Sequence, residues 1–138
     1  MSTEENKALV RRLLEETWNN GNLDVSDELV SADCVLHYQG RSIPAGGAAG
    51  KGIVTTWRTA FPDFEFLFED MIAEGETVAA RIPFRGTHLG TLFGIAPTGR
   101  QITITETLIL RLANGKVVEM WEDFDQLGLL RQLGALPS

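Results

Sequence analysis

The sequence predicts an α+β fold in which helices cover one face of a curved, mainly antiparallel sheet. Three observations carry this. Apolar residues recur at helical intervals up to Pro62; a period of two then takes over and holds as far as Phe124; a short helical run closes the chain before Gly134. There is no internal repeat and no low-complexity segment, and 138 residues with 43% hydrophobic content suffice for one core. A single domain over 1–138 is expected.

Ser2 and Glu5 have the spacing of a capping box, and Leu9, Val10, Leu13, Leu14, Thr17 and Trp18 follow on one helical stripe until Asn20-Gly21. A short second helix is predicted over 25–30, then a brief strand over 34–38. The run G40-R-S-I-P-A-G-G-A-A-G50 reads as a flexible loop at the rim; it lacks the terminal Gly-Lys-Ser/Thr of a phosphate-binding loop. Ile53, Val54, Trp57 and Phe61 fit a third helix stopped by Pro62. Strands follow where Phe64, Phe66 and Phe68 alternate with acidic residues, where Val78, Ala80, Ile82 and Phe84 alternate with Arg81 and Arg85, and where Ile102 to Leu112 alternates with threonines. The last strand is V117-V-E-M-W-E-D-F124. Asp125 is then the N-cap of a helix over 126–133 that ends at Gly134.

Charge and composition exclude several function classes. A net charge of −7 with one adjacent basic pair, Arg11-Arg12, argues against binding nucleic acid or an anionic membrane. The single cysteine, Cys34, forms no internal disulfide, and with only His37 and His88 beside it no metal-ligand spacing arises. The amino terminus is polar, and no apolar run approaches the ~20 residues of a membrane span. A cytoplasmic protein without metal or nucleotide is the expectation.

Three polar side chains interrupt the apolar rows. Extending the Val78 row through Gly86 reaches His88, the Ile102 row contains Glu106, and Glu122 shares a face with Val118, Met120 and Phe124. A carboxylate buried without a partner costs several kcal/mol, so two of them inside a sheet point to a wet or ligand-binding cavity. The last hairpin decides whether they meet. A two-residue Asn114-Gly115 turn pairs even positions with odd, whereas a three-residue turn pairs even with even. The hydrophobic pattern favours the second, which leaves Glu106 opposite Glu122 or one pair away. The competing arrangement is a bulge that turns Glu122 to solvent and Asp123 or Asp125 inward.

The segments F84-R-G-T-H88-L-G-T-L-F-G-I-A-P97-T-G-R100, N114-G-K-V-V-E-M-W121 and D125-Q-L-G-L-L-R-Q-L-G134 resemble the SnoaL-like polyketide cyclase family, within the NTF2-like, ketosteroid-isomerase-like superfamily. N19-N-G21 and D33-C-V-L-H37 extend the resemblance over nearly the whole chain. It implies a cone-shaped mixed sheet with helices on its concave face, a central apolar pocket and no cofactor. It also implies an intramolecular aldol closure of an aromatic polyketide ester, with the family's acid/base aspartate replaced by Glu122, His88 matching a family motif as a donor to a substrate carbonyl, and Leu108 where the characterised cyclases carry a pocket histidine; Glu106, read from the alternation, is the third candidate catalytic residue. His37, Tyr38, Trp57, Phe93, Trp121 and Asp125 are the candidates for substrate contact. The expected partners are a hydrophobic small molecule and further copies of the chain in a homodimer or larger homo-oligomer. A binding-only protein, an isomerase or hydrolase on the same fold, and a structural module are the alternatives.

Overall fold

The computed structural model of the chain describes residues 1–136. Its amino-terminal helix begins as the capping-box spacing predicts: the Ser2 hydroxyl accepts from the Glu5 amide at 3.1 Å and Glu5 Oε1 accepts from the Ser2 amide at 3.0 Å. Helix α1 (Thr3–Arg12) does not stay α-helical to its end. It widens into a π-helical segment, Leu13–Asn19, followed by α2 (Leu23–Leu29), β1 (Val30–Tyr38), β2 (Arg41–Pro44) and α3 (Gly47–Ala60). Then come β3 (Glu65–Phe66), β4 (Asp70–Glu74), β5 (Thr77–Thr87), β6 (Gln101–Ala113), β7 (Lys116–Phe124) and α4 (Gln126–Gln132).

The seven strands form one sheet in the order β2-β1-β7-β6-β5-β3, with β4 also pairing with β5. The contact of β1 with β7 is parallel and the others are antiparallel, so the sheet is mixed. Alternation is strict on β6: Ile102, Ile104, Glu106, Leu108, Leu110 and Leu112 are buried while Thr103, Thr105 and Thr107 are exposed. Those residues join Val78, Ile82 and Phe84 of β5 and the apolar stripe Leu9, Val10, Leu13 and Leu14 in one core. No helix among the described residues is long and apolar enough to cross a membrane.

Four local expectations are overturned. The glycine-rich run is not a loop: Arg41–Pro44 pairs with β1, and α3 starts at Gly47. Gly46 and Gly50 serve close approach, since a Cβ on Gly46 would lie 2.1 Å from the Ser31 carbonyl oxygen and one on Gly50 2.1 Å from that of Ala45. The Phe64 to Phe68 strand shrinks to Glu65–Phe66, and the edge strand Asp70–Glu74 replaces its far end. Its signal is weak in sequence because its largest side chain, Ile72, is 66% exposed. The first strand begins four residues earlier than predicted, at Val30.

The fourth correction concerns the last hairpin. Asn114 and Gly115 (φ 53° and 74°) form a two-residue turn with Ala113 opposite Lys116 and Leu112 opposite Val117. A bulge then shifts the register, so that Leu110 faces Met120 and Leu108 faces Glu122. Val117, fully buried, takes the interior place expected for Val118, which sits in the bulge. The even-to-even pairing holds, produced by a bulge rather than by a longer turn.

Candidate active site

Glu106 stands on the inner row of the longest strand, with neighbours on both sides, and is only 4% exposed. Glu122 comes to the same face through the β7 bulge. Since Phe124 is opposite Glu106 and Leu108 opposite Glu122, the two glutamates are diagonal neighbours, within reach of side chains of this length. Their carboxyl groups are near enough that each alters the other's affinity for a proton. Trp18, Trp57, Phe64, Phe66, Phe84 and Phe124 wall them in, leaving a space of about 10 Å³, close to one water's needs.

Electrostatics divides the pair. Burial pushes the Glu106 carboxyl well above the usual range, and the Glu122 charge and the shared hydrogen bond push it further. Burial also raises Glu122, and the bond from Glu106 opposes that rise. One proton is held between two carboxylates: Glu106 carries it and donates, Glu122 accepts as the anion. Tyr38 lies close enough to feel both. Burial, then the charges of Glu122 and Glu106, push its phenol up to about 12, and its hydroxyl donates to Gln126 Oε1 at 3.2 Å. It therefore remains a protonated donor across the working range.

The aromatic mouth is built from α3 and the segment after β5. The Trp57 ring meets Phe124, Phe84 and Phe93 edge-on at 5.5, 5.7 and 5.8 Å. Phe93 holds a left-handed backbone (φ 50°) in a turn and leaves half its surface to solvent. Tyr38 stacks on Phe124 at 5.5 Å. His88 is fully buried, but in the adjoining layer against Phe61 (5.5 Å), not on the wall of the carboxylate space. The Thr98 amide donates to His88 Nδ1 at 3.1 Å, which assigns the ring proton to Nε2. That N–H has no hydrogen-bond acceptor among the described residues.

The remaining predicted residues lie elsewhere. His37 and Trp121 stack at 5.2 Å on the outer face of the sheet, and Glu119 accepts from His37 Nε2 at 2.6 Å while also pairing with Arg111. Asp125 is engaged as the N-cap of α4, accepting from the Gly128 amide at 2.8 Å. Sequence reasoning read Trp18, Phe64, Phe66 and Phe124 as ordinary core; their periodicity marks them as interior, and nothing in it separates a cavity wall from filler.

A second apolar cavity of about 50 Å³ adjoins the first and shares Trp18 and Phe66 as walls. The largest depression, about 510 Å³, is an open polar groove on another flank. There Asp63 is engaged by Thr87 and Glu65 by Arg85, so neither carboxylate is left for chemistry. Among the described residues no group of three or more His, Cys, Asp or Glu side chains is arranged to hold a metal ion.

A model of the SnoaL-like polyketide cyclase family matches residues 8–133. The chain is 31% identical over 129 residues to the aklanonic acid methyl ester cyclase DnrD of Streptomyces peucetius, covering 91% of this chain and 88% of that protein. It is 32% identical over 124 residues to the nogalonic acid methyl ester cyclase of Streptomyces nogalater, covering 85% and 89%. Among solved structures, AclR, a proposed hydroxylase from Streptomyces galilaeus, superposes with a TM-score of 0.87 at 31% identity over 99% of this chain and 89% of that one. IdmH, a proposed polyketide cyclase from Streptomyces antibioticus, gives 0.81 at 29% identity over 94% and 98%. With the mixed curved sheet, the helical cover and a family match over most of its length, the chain belongs to the SnoaL-like polyketide cyclases.

Proposed function

We propose that the chain is a cofactor-independent cyclase that closes a ring of an aromatic polyketide ester by intramolecular aldol addition, with Glu122 as the base. The observation that carries this reading is the placing of Glu106 and Glu122 as diagonal neighbours inside one aromatic enclosure. An ionised carboxylate whose pKa is raised by burial is a competent base toward a carbon acid, and it becomes the acid that returns the proton.

The chemistry needs no other reactant. Glu122 takes a proton from the carbon between two carbonyls, the resulting enolate carbon bonds to a neighbouring ketone carbon, and that ketone's oxygen becomes an alkoxide. Protonated Glu122 returns its proton to the alkoxide, so the product is an isomer of the substrate and the carboxylate is restored. Glu106 holds Glu122 in place through the shared proton. Tyr38, kept protonated and stacked on Phe124, becomes the donor for the enolate oxygen when it exchanges its bond to Gln126; His88, sealed in the adjoining layer, takes no part in the step. Trp57, Phe93 and Phe124 supply flat surfaces for a planar substrate. Ligand sites for drug-sized molecules are roughly 300–1,000 Å³, so the rings at this mouth swing outward when a polycycle enters.

A binding-only role is the second reading, favoured by the mainly apolar lining of the adjoining cavity. One experiment separates the two: turnover of aklanonic acid methyl ester, the substrate that names the relatives, by wild type and Glu122→Gln. The variant is expected to keep its fold and affinity and lose about 100-fold or more in kcat. Equal rates for both proteins would remove Glu122 from the mechanism; binding without turnover by wild type would favour the carrier.

A further inference from the structure

Threonine hydroxyls inside an α-helix usually bond back to the carbonyl four residues earlier. Thr55 and Thr56 of α3 do so, to Lys51 and Gly52, each at 2.9 Å. Thr17 lies in the π-helical segment, where the turn is widened: the Asn20 amide bonds to the Glu15 carbonyl, five residues back, at 3.0 Å. The residue is 1% exposed, and its hydroxyl has no hydrogen-bond partner among the described residues. It lines the cavity of about 50 Å³ that adjoins the carboxylate space. The other walls are mainly apolar, among them Leu13, Leu36, Leu108 and Met120, with Ser26 as the second hydroxyl.

The two spaces lie in line. Glu106, Leu108 and Leu110 are successive inward residues of β6; the first lines the carboxylate space and the other two line the Thr17 cavity. At ~3.4 Å per residue, the cavity begins about 7 Å from Glu106 and reaches about 14 Å along the strand. Its volume is a few times the ~10–15 Å³ that one water needs, room for a small substituent. A water seeks two to four polar partners and this lining has two hydroxyls, Thr17 and Ser26, whereas a ketone oxygen is satisfied by a single donor.

We infer that this cavity is an arm subsite, in which the Thr17 hydroxyl donates to a carbonyl oxygen on a short apolar side arm of the substrate. The inference rests on the reading of the carboxylate pair as the reaction centre and adds a requirement to it: a planar aromatic body at the pair and a ketone-bearing arm pointing along β6 toward the π-helical segment.

The test uses quenching of tryptophan fluorescence by two anthraquinones that carry, on the same ring carbon, either an acetyl or an ethyl group. They differ by one arm oxygen. Wild type is expected to bind the acetyl compound about tenfold more tightly, the scale of one neutral hydrogen bond. Thr17→Val, nearly isosteric, is expected to bind both within about twofold, with ethyl affinity unchanged, and Thr17→Ser to restore the preference. Thermal melting is the second readout: Thr17→Val should melt at or above wild type, because it loses no partner. Retained preference in Thr17→Val, no preference in wild type, binding of neither compound, or a valine variant several degrees less stable would each overturn the subsite. Loss of the cyclase reading looks different, since Glu122→Gln would then turn over normally while the Thr17-dependent preference stood.

Discussion

Glu106 is a carboxylic acid with almost no access to water. Its folded carboxyl holds a proton more tightly than the unfolded chain does, so its contribution to stability is complete below the ordinary value of 4.5 and is lost as pH rises through the folded value. Removing the ionisation while keeping the shape should abolish that loss. Glu106→Gln is therefore expected to match wild type near pH 4 and to gain on it in melting temperature as the pH rises and the wild-type carboxyl loses its proton. Calorimetry across this range checks it; a difference that does not change with pH would mean that Glu106 does not carry the buried proton. Thr17 and His88 pose the same kind of question, since each is a buried donor without a hydrogen-bond acceptor among the described residues.

At the scale of elements, the β6–β7 hairpin controls the site. The two-residue turn sets one register and the bulge at Val118 replaces it with another, and only the second brings Met120, Glu122 and Phe124 to the interior. Gly115 occupies the left-handed region at φ 74°, and a Cβ there would meet nothing closer than Met1 Sδ at 3.6 Å, an ordinary contact. Gly115→Ala thus isolates backbone strain: it is expected to lower stability by about 1 kcal/mol, the left-handed penalty of ~1–2 kcal/mol less the gain from a stiffer unfolded chain. Urea unfolding should show a lower midpoint with an unchanged m-value. An unaltered midpoint would mean that the turn relaxes freely and does not anchor the register. The reading from alternation named the correct face for Glu122 and the wrong device, because a bulge leaves no mark in the hydrophobic pattern beyond one misplaced valine.

For the whole molecule, the described residues converge two carboxylates and several aromatic rings on one interior, and no third metal-ligating side chain joins them. The proposed proton transfer uses only groups of the chain. Turnover of aklanonic acid methyl ester is accordingly expected to survive exhaustive chelation within about twofold, well under the ~100-fold scale of losing the base; a loss that added divalent metal restores would require a different mechanism.

The helical stripes, the switch to a period of two and the inward carboxylates were legible in the sequence because burial imposes them residue by residue. Family membership was legible in the G-T-H, N-G-K and R-Q-L-G segments. Tertiary structure decided the rest. It sent His37 and Trp121 to the outer face, because β1 pairs with β7 in parallel and aligns His37 with Trp121 rather than with the cavity. It turned the glycine-rich run into a strand and a helix start, since its small residues admit neighbouring carbonyls that no local pattern reveals. It also joined Glu106 to Glu122 and left Thr17 without a partner, and both depend on register: a bulge in one strand and a widened turn in one helix, each an offset of a single residue that local periodicity does not encode.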